Sequence, residues 1–317
     1  MARRRSSVAG IEVSPPPPEV AYERTLSASG RGWPFAVFGI ILGIATFVLL
    51  SGTVAQLLIL AFWKAGLIVG GTFAEATRAG AAFTTPWGML AVHLGLAMLI
   101  PISLALVLAV HRTAPGWLCS VRPLFRWPLL GWSMLAGLVL LNLTLWASWG
   151  WSIPAIRPQE GLAGFLVVIL LTSPLQAAAE EFFFRGYLMQ ALGSFVRTPW
   201  LPIAGSALIF AAFHGTQNLP LFLDRFGFGL LAGFLVSRTG GLEAAIGLHI
   251  VNNILAFSYA ALTSSVAQVK AVQQVGWIDL GWDLAGFALC TVTAVLLARR
   301  LRVATRTPAS PVRSGSV

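Results

Sequence analysis

Eight apolar runs set the pattern of this chain, at residues 34–62, 88–110, 128–150, 161–180, 201–214, 220–237, 242–262 and 281–298. Uninterrupted apolar stretches of roughly 18 residues or more read as helices that cross a bilayer. The fifth run is short for a free-standing span. It is expected to pack inside a bundle, tilted or joined to the amphipathic stretch Tyr187 to Val196 before it. Short alternating segments of the kind that build a membrane β-barrel are absent. The pattern therefore predicts an all-α fold, a polytopic transmembrane helix bundle of about eight spans.

The flanks read differently. Residues 1–32 are polar and carry the run Pro15 to Pro18, which predicts a disordered, basic and Pro-rich tail. Residues 303–317 predict a second disordered basic tail, leaving 33–302 as the integral membrane domain. Met1 to Arg5 is basic, but no hydrophobic run follows within a signal peptide's reach, so the first apolar segment is expected to stay as a span.

Composition sharpens this picture. The chain of 317 residues is 57% hydrophobic and only 10% charged, too apolar for a soluble fold to hide, so membrane lipid is an obligatory partner. Its formal net charge of +10 does not point to nucleic acid, because no basic face interleaved with aromatics occurs. The basic residues instead follow the positive-inside rule. Arg112, Arg122, Arg126, Arg197, Arg238, Arg299, Arg300 and Arg302 fall in alternate loops with the N-terminal arginines; the other loops hold Lys64, Arg78, Arg157 and Lys270. Both termini are expected in the cytoplasm, in the plasma (inner cell) membrane, with an even number of spans. Trp33, Trp63, Trp127, Trp151, Trp200 and Trp282 fall at span ends, as an interfacial aromatic belt should. Cys119 and Cys290 give neither a disulfide framework nor metal-ligand spacing. No internal repeat of the transporter type is visible.

Candidate chemistry begins with Glu180 and Glu181, taken as the only acids deep in the bilayer, followed by Arg185. A charge at membrane depth costs roughly 2.5 kcal/mol or more and marks a pathway or a reaction centre. On a helix, Glu181 and Arg185 stand at i and i+4, the favoured order for an ion pair. Glu180 lies about 100° round the axis and faces elsewhere. Buried there, its carboxylate is suited to act as a general base on water. The plainer reading puts both acids at the membrane edge, paired with Arg185 and headgroup water. His214 shares a helix face with Phe210, and His249 with Asn253, each at i and i+4. Unpaired polar groups are costly in lipid, so these side chains are expected to meet in three dimensions. His93 reads as a satisfied polar group in packing, since no nearby partner suggests otherwise, and His111 as a span-end residue reaching the interface. Asp224 and Arg225 read as an edge pair or part of a substrate entrance. Gly229 and Gly233 permit close helix approach.

Taken together, Glu180-Glu181-x-x-x-Arg185, Phe210-x-x-x-His214 and His249-x-x-x-Asn253 resemble the signature of the CAAX-processing and bacteriocin-processing intramembrane proteases. That family includes the eukaryotic prenyl-protein endopeptidase and many bacterial "Abi" proteins, and the resemblance covers about residues 160–260. It implies that Glu180 and His214 activate the attacking water, while His249 and Asn253 stabilise the oxyanion. Glu181 and Arg185 would support the site. The family is commonly labelled metalloprotease, so Glu180, His214 and His249 could alternatively hold Zn²⁺ around an open position for water. The His-Glu-x-x-His pattern of soluble zinc proteases is absent, and the metal-free form is preferred.

The expectation is an endopeptidase that hydrolyses a peptide bond in a membrane-associated protein or peptide substrate. Two other classes use the same side chains: a transporter with a proton relay, and a non-catalytic scaffold or immunity factor. Nothing in the residues names the substrate or requires it to be prenylated.

Overall fold

The computed structural model describes residues 6–28, 32–152 and 154–309. Ten helices carry the described chain: α1 (Gly32–Lys64), α2 (Phe73–Ala81), α3 (Pro86–Ala109), α4 (Trp127–Ser148), α5 (Leu162–Leu192), α6 (Trp200–Ala212), α7 (Leu219–Thr239), α8 (Glu243–Thr263), α9 (Val266–Lys270) and α10 (Trp277–Arg300). Seven of these are long and apolar enough to cross a membrane, and α6 is the short eighth apolar helix. The bundle of about eight spans read from the apolar runs is the architecture found.

Local sequence sets several of the ends. Thr72 and Glu75 close a capping box on α2, and Thr85 caps α3 with Pro86 in its first turn. Asn218 accepts from the Leu221 amide to start α7, and Gly240, at φ 67°, ends it in the left-handed region that glycine tolerates. Within the bundle α4 lies against α8 and α10, α8 against α5, α5 against α3, and α3 against α1. Helix α7 sits between α6 and α10. The α6–α7 approach is close because of two glycines. A Cβ on Gly229 would stand 2.7 Å from Ala207 Cβ, and one on Gly233 would stand 3.0 Å from Ile203.

Helix α5 departs from expectation. The apolar run stops at Glu180, yet the helix continues to Leu192: Glu181–Leu188 winds as a π-helix whose two charged residues, Glu181 and Arg185, pair with each other inside the fold. Tyr187 therefore belongs to the end of α5, not to an extension of α6. Wide π turns are rare and recur at functional sites.

The terminal segments also differ from expectation. Residues 6–8 and 11–13 form a short antiparallel hairpin, and a 3-10 turn spans Tyr22–Ala28. Tyr22 and Leu26 are fully buried, and the Tyr22 hydroxyl donates to the Leu118 carbonyl. At the other end, the Thr307 amide donates to Val20 O at 3.0 Å, and Ala21 bridges to Arg306. Apolar anchors and hydrogen bonds between the two ends of the chain fix these residues where composition alone suggested tails. Residues 1–5, 29–31 and 310–317, part of both expected tails, lie outside the described residues.

These contacts define two faces of the bundle. The terminal face gathers both chain ends with the α3–α4 and α7–α8 connections: Ser14 N donates to Arg112 O, and Val121 N to Gly240 O. There Arg126 meets Glu243 at 2.5 Å and also donates to Ala304 O. The far face gathers the α4–α5, α6–α7 and α8–α10 connections, with Arg157 N donating to Leu262 O and Asn218 N to Gln273 O.

Candidate functional site

The neighbouring acids of α5 leave it in different directions. Glu181 is fully buried and accepts from Arg185 Nη1 at 2.9 Å, the i,i+4 pair expected from the spacing. The same Oε1 lies 2.8 Å from His249 Nδ1 on α8. An ionised carboxylate can only accept, so Nδ1 carries the proton and donates. The other ring nitrogen of His249, Nε2, then faces Glu180, whose Oε2 is 3.6 Å away.

A second hydrogen-bonded line runs through side-chain amides. Glu180 Oε1 accepts from Gln176 Nε2 at 2.5 Å, and Gln176 Oε1 accepts from Asn253 Nδ2 at 2.8 Å. Asn253 Oδ1 accepts in turn from Asn252 at 3.2 Å. His214, just beyond α6, donates from Nδ1 to the Phe210 carbonyl at 2.8 Å, which leaves Nε2 as an acceptor. Its ring packs 4.5 Å from that of Phe210.

Arg185 is buried among rings. Its guanidinium carbon lies 4.2 Å from the Phe210 centroid and 5.2 Å from that of Phe228. Nε and Nη2 have no hydrogen-bond partner, and the negative ring faces take that place. Phe228 also meets the His249 ring edge to face at 5.0 Å.

A cavity of about 390 Å³ brings the set together, with Gln176, Glu180, His214, His249, Asn253 and Phe210 among its walls. Glu181 and Arg185 stand outside those walls and buttress His249 from behind. The edge-of-membrane reading of the two acids therefore does not describe this fold: neither carboxylate is exposed, and each is held by other helix-borne groups.

The Zn²⁺ alternative does not fit the donors. Among the described residues no three His, Cys, Asp or Glu are grouped to hold a metal ion.

Other expectations need correction. His93 is the satisfied packing group expected, hydrogen-bonded to Thr172 Oγ1 at 2.8 Å, but its ring also lines the cavity between Phe83 and Phe257. His111 is buried, with Nε2 3.3 Å from the Tyr187 hydroxyl, because the terminal segment covers its end of α3. Asp224 and Arg225 form no ion pair with each other; they line the cavity with Asp283 and Lys270. Glu180 and Glu181 are thus not the only acids facing the interior. Desolvation lowers the Lys270 ammonium below the usual lysine range, against the opposing pull of Glu180.

Gln176, Phe228, Lys270 and Asp283 escaped the sequence reading. Only Gln176 had a signal, its i,i+4 spacing to Glu180 on the same helix. Phe228 resembles any core aromatic, and Lys270 reads as an ordinary loop charge until the loop folds over Phe83, whose centroid lies 5.1 Å from its Nζ.

Fold and contacts together define a polytopic helical membrane protein with an internal cavity walled by acid, imidazole and amide groups. Residues 162–255 match the family described as Rce1-like, type II CAAX prenyl endopeptidase Rce1-like. All seven motif residues from Glu180 to Asn253 lie in that segment, and the family points to a protease in general terms. The chain is also similar to the "Uncharacterized protein YyaK" of Bacillus subtilis (strain 168), at 28% identity over 107 residues. That alignment covers 32% of this chain and 36% of the relative, so the chain matches about a third of that protein's length. No solved structure matches the chain.

Proposed function

We propose that this chain is an intramembrane endopeptidase of the CAAX-protease type, using glutamate and histidine to activate water. The observation that carries this reading is the shared cavity: Glu180, His214, His249 and Asn253 face one interior space from three different helical segments. Water between Glu180 Oε2 and His214 Nε2 would give up a proton as its oxygen attacks the peptide carbonyl. The carbonyl becomes a tetrahedral oxyanion, the C–N bond breaks, and the captured proton goes to the departing amine.

Two donors face the oxyanion. Asn253 Nδ2 has one hydrogen on Gln176 and a second free. His249 commits Nδ1 to Glu181 and turns Nε2 to the cavity, where a proton carried on that nitrogen would be donated to the oxyanion. Removing such a donor costs about 100- to 1000-fold in rate. The substrate in this reading is a peptide bond in a membrane-associated protein.

The test is cleavage of an internally quenched peptide library by purified protein in detergent. Glu180→Ala and His214→Ala are expected to lose at least about 100-fold in turnover with unchanged thermal unfolding. Full activity in Glu180→Ala overturns the reading, and ion flux in liposomes without any peptide cleavage replaces it with a transporter.

A further inference from the structure

The catalytic residues lie deep in the bundle, and the direction from which they are reached is written in the chain's path. Each long helix runs between the two faces described above. The cavity is walled at its deep end by Gln176, Glu180 and His249. Beyond them toward the terminal face, access is closed. Glu181, Phe183, Arg185 and Tyr187 are buried, and Trp117 and Leu118 are buried beneath them. Its remaining walls come from far-face elements: Phe83 from the α2–α3 connection, Ser148 from the last turn of α4, and Lys270 and Val272 from the α8–α10 connection. Val269 and Val272 are exposed there, marking the mouth.

Charge distinguishes the faces. The terminal face carries Arg112, Arg122, Arg197, Arg238, Arg299 and Arg300 in short connections and helix ends, together with Arg302 and Arg306. Connections on the far face hold Arg157 and Lys270, with Lys64 and Arg78 near the end of α1 and on α2. Short connections rich in Lys and Arg stay on the cytoplasmic side.

We infer that the cavity opens to the extracytoplasmic side of the membrane. Its substrates are then peptide segments presented at the outer leaflet: parts of exported or membrane-anchored proteins, not cytoplasmic chains. Substrate threads past Phe83, Lys270 and Val272 and descends to Glu180. The orientation stands on the bundle alone, while the substrate class rests on the protease reading.

The experiment uses the full chain in a bacterial host, with Cys119 and Cys290 changed to Ser. Single cysteines are placed at the mouth (Val272→Cys), at a second far-face position (Val69→Cys) and on the terminal face (Thr305→Cys). A membrane-impermeant maleimide added to intact cells is expected to label the first two and to reach Thr305→Cys only after permeabilisation. Labelling of Thr305→Cys alone in intact cells overturns the inference. So does labelling of Val69→Cys without Val272→Cys, which would show a closed mouth.

A second arm adds an impermeant quenched peptide to intact cells and to inside-out vesicles, with Glu180→Ala as the blank. Cleavage by cells and not by vesicles is expected, and the reverse overturns the substrate class. No Glu180-dependent cleavage in either preparation, with the labelling as expected, defeats the protease reading and leaves the orientation standing.

Discussion

Glu181 grips His249 from behind, Oε1 to Nδ1 at 2.8 Å, and so decides which imidazole nitrogen faces the cavity. The neighbouring carboxylate, Glu180, meets the cavity itself. Two identical side chains, adjacent in sequence, are thus given separate tasks by a turn of about 100°. Glu181→Gln removes the charge that pairs with Arg185 and holds His249 Nδ1, while keeping the shape. Its kcat is expected to fall by roughly 10- to 100-fold with KM little changed, since the loss is felt when oxyanion charge develops. Glu180→Gln should be the more severe variant. Steady-state kinetics of the two side by side check the ordering, and equal losses would contradict it.

Arg185 holds the opposite end of that line, buried between Phe210 and Phe228 with one carboxylate partner. Its replacement by Met strands the Glu181 charge in a fully buried position. Breaking a buried pair this way costs about 3–5 kcal/mol. The expected outcome is a markedly lower midpoint of thermal unfolding in detergent, with Glu181→Gln/Arg185→Met together less damaging than Arg185→Met alone. A double variant as unstable as the sum of the singles would show the two residues to be uncoupled.

The chain announces its membrane architecture plainly, because an apolar run of span length has few alternatives in water. It announces the acid pair as well, since an i,i+4 Glu181–Arg185 couple in a greasy segment is costly unless used. The π-wound extension to Leu192 leaves no such trace: hydropathy falls where the charged residues begin, although they pair with each other inside the fold. The terminal segments are hidden for a related reason. Tyr22 and Leu26 are isolated apolar anchors in polar surroundings, and their burial depends on docking against Leu118 and on the bridge to Arg306. His93 and Lys270 reach the cavity only through tertiary folding, far from the motifs in sequence.

Gln176 links two cavity-lining side chains, donating to Glu180 at 2.5 Å and accepting from Asn253 at 2.8 Å. Gln176→Leu removes both bonds without adding charge. Glu180 and Asn253 then lose their orientation, and a misplacement of about 1 Å in a site of this kind can cost about 100-fold. The expected result is a fall in kcat/KM of roughly 10- to 100-fold, with Gln176→Glu not restoring activity because it sets a second acid beside Glu180. Unchanged kinetics in Gln176→Leu would make the amide line a packing feature only.

Cys119 offers a pH measurement outside the membrane-crossing helices. Burial, with the nearby Glu243 carboxylate adding to it and Arg126 opposing, pushes its thiol up to about 11. Thiolate is the reactive form, and an ordinary cysteine titrates near 8.5. At neutral pH the thiol therefore stays protonated, and its reaction with N-ethylmaleimide should run on the order of 100-fold slower than that of an exposed cysteine. The sign follows from the raised value: the rate should climb about tenfold per pH unit well past 9 and level off only near 11. Glu243→Gln removes a negative neighbour, which lowers the thiol's pKa and speeds labelling at fixed pH. Mass spectrometry of the folded protein resolves Cys119 from Cys290, and a plateau near pH 8.5 would mean that the α3–α4 connection is open to water, not sealed by the terminal segments.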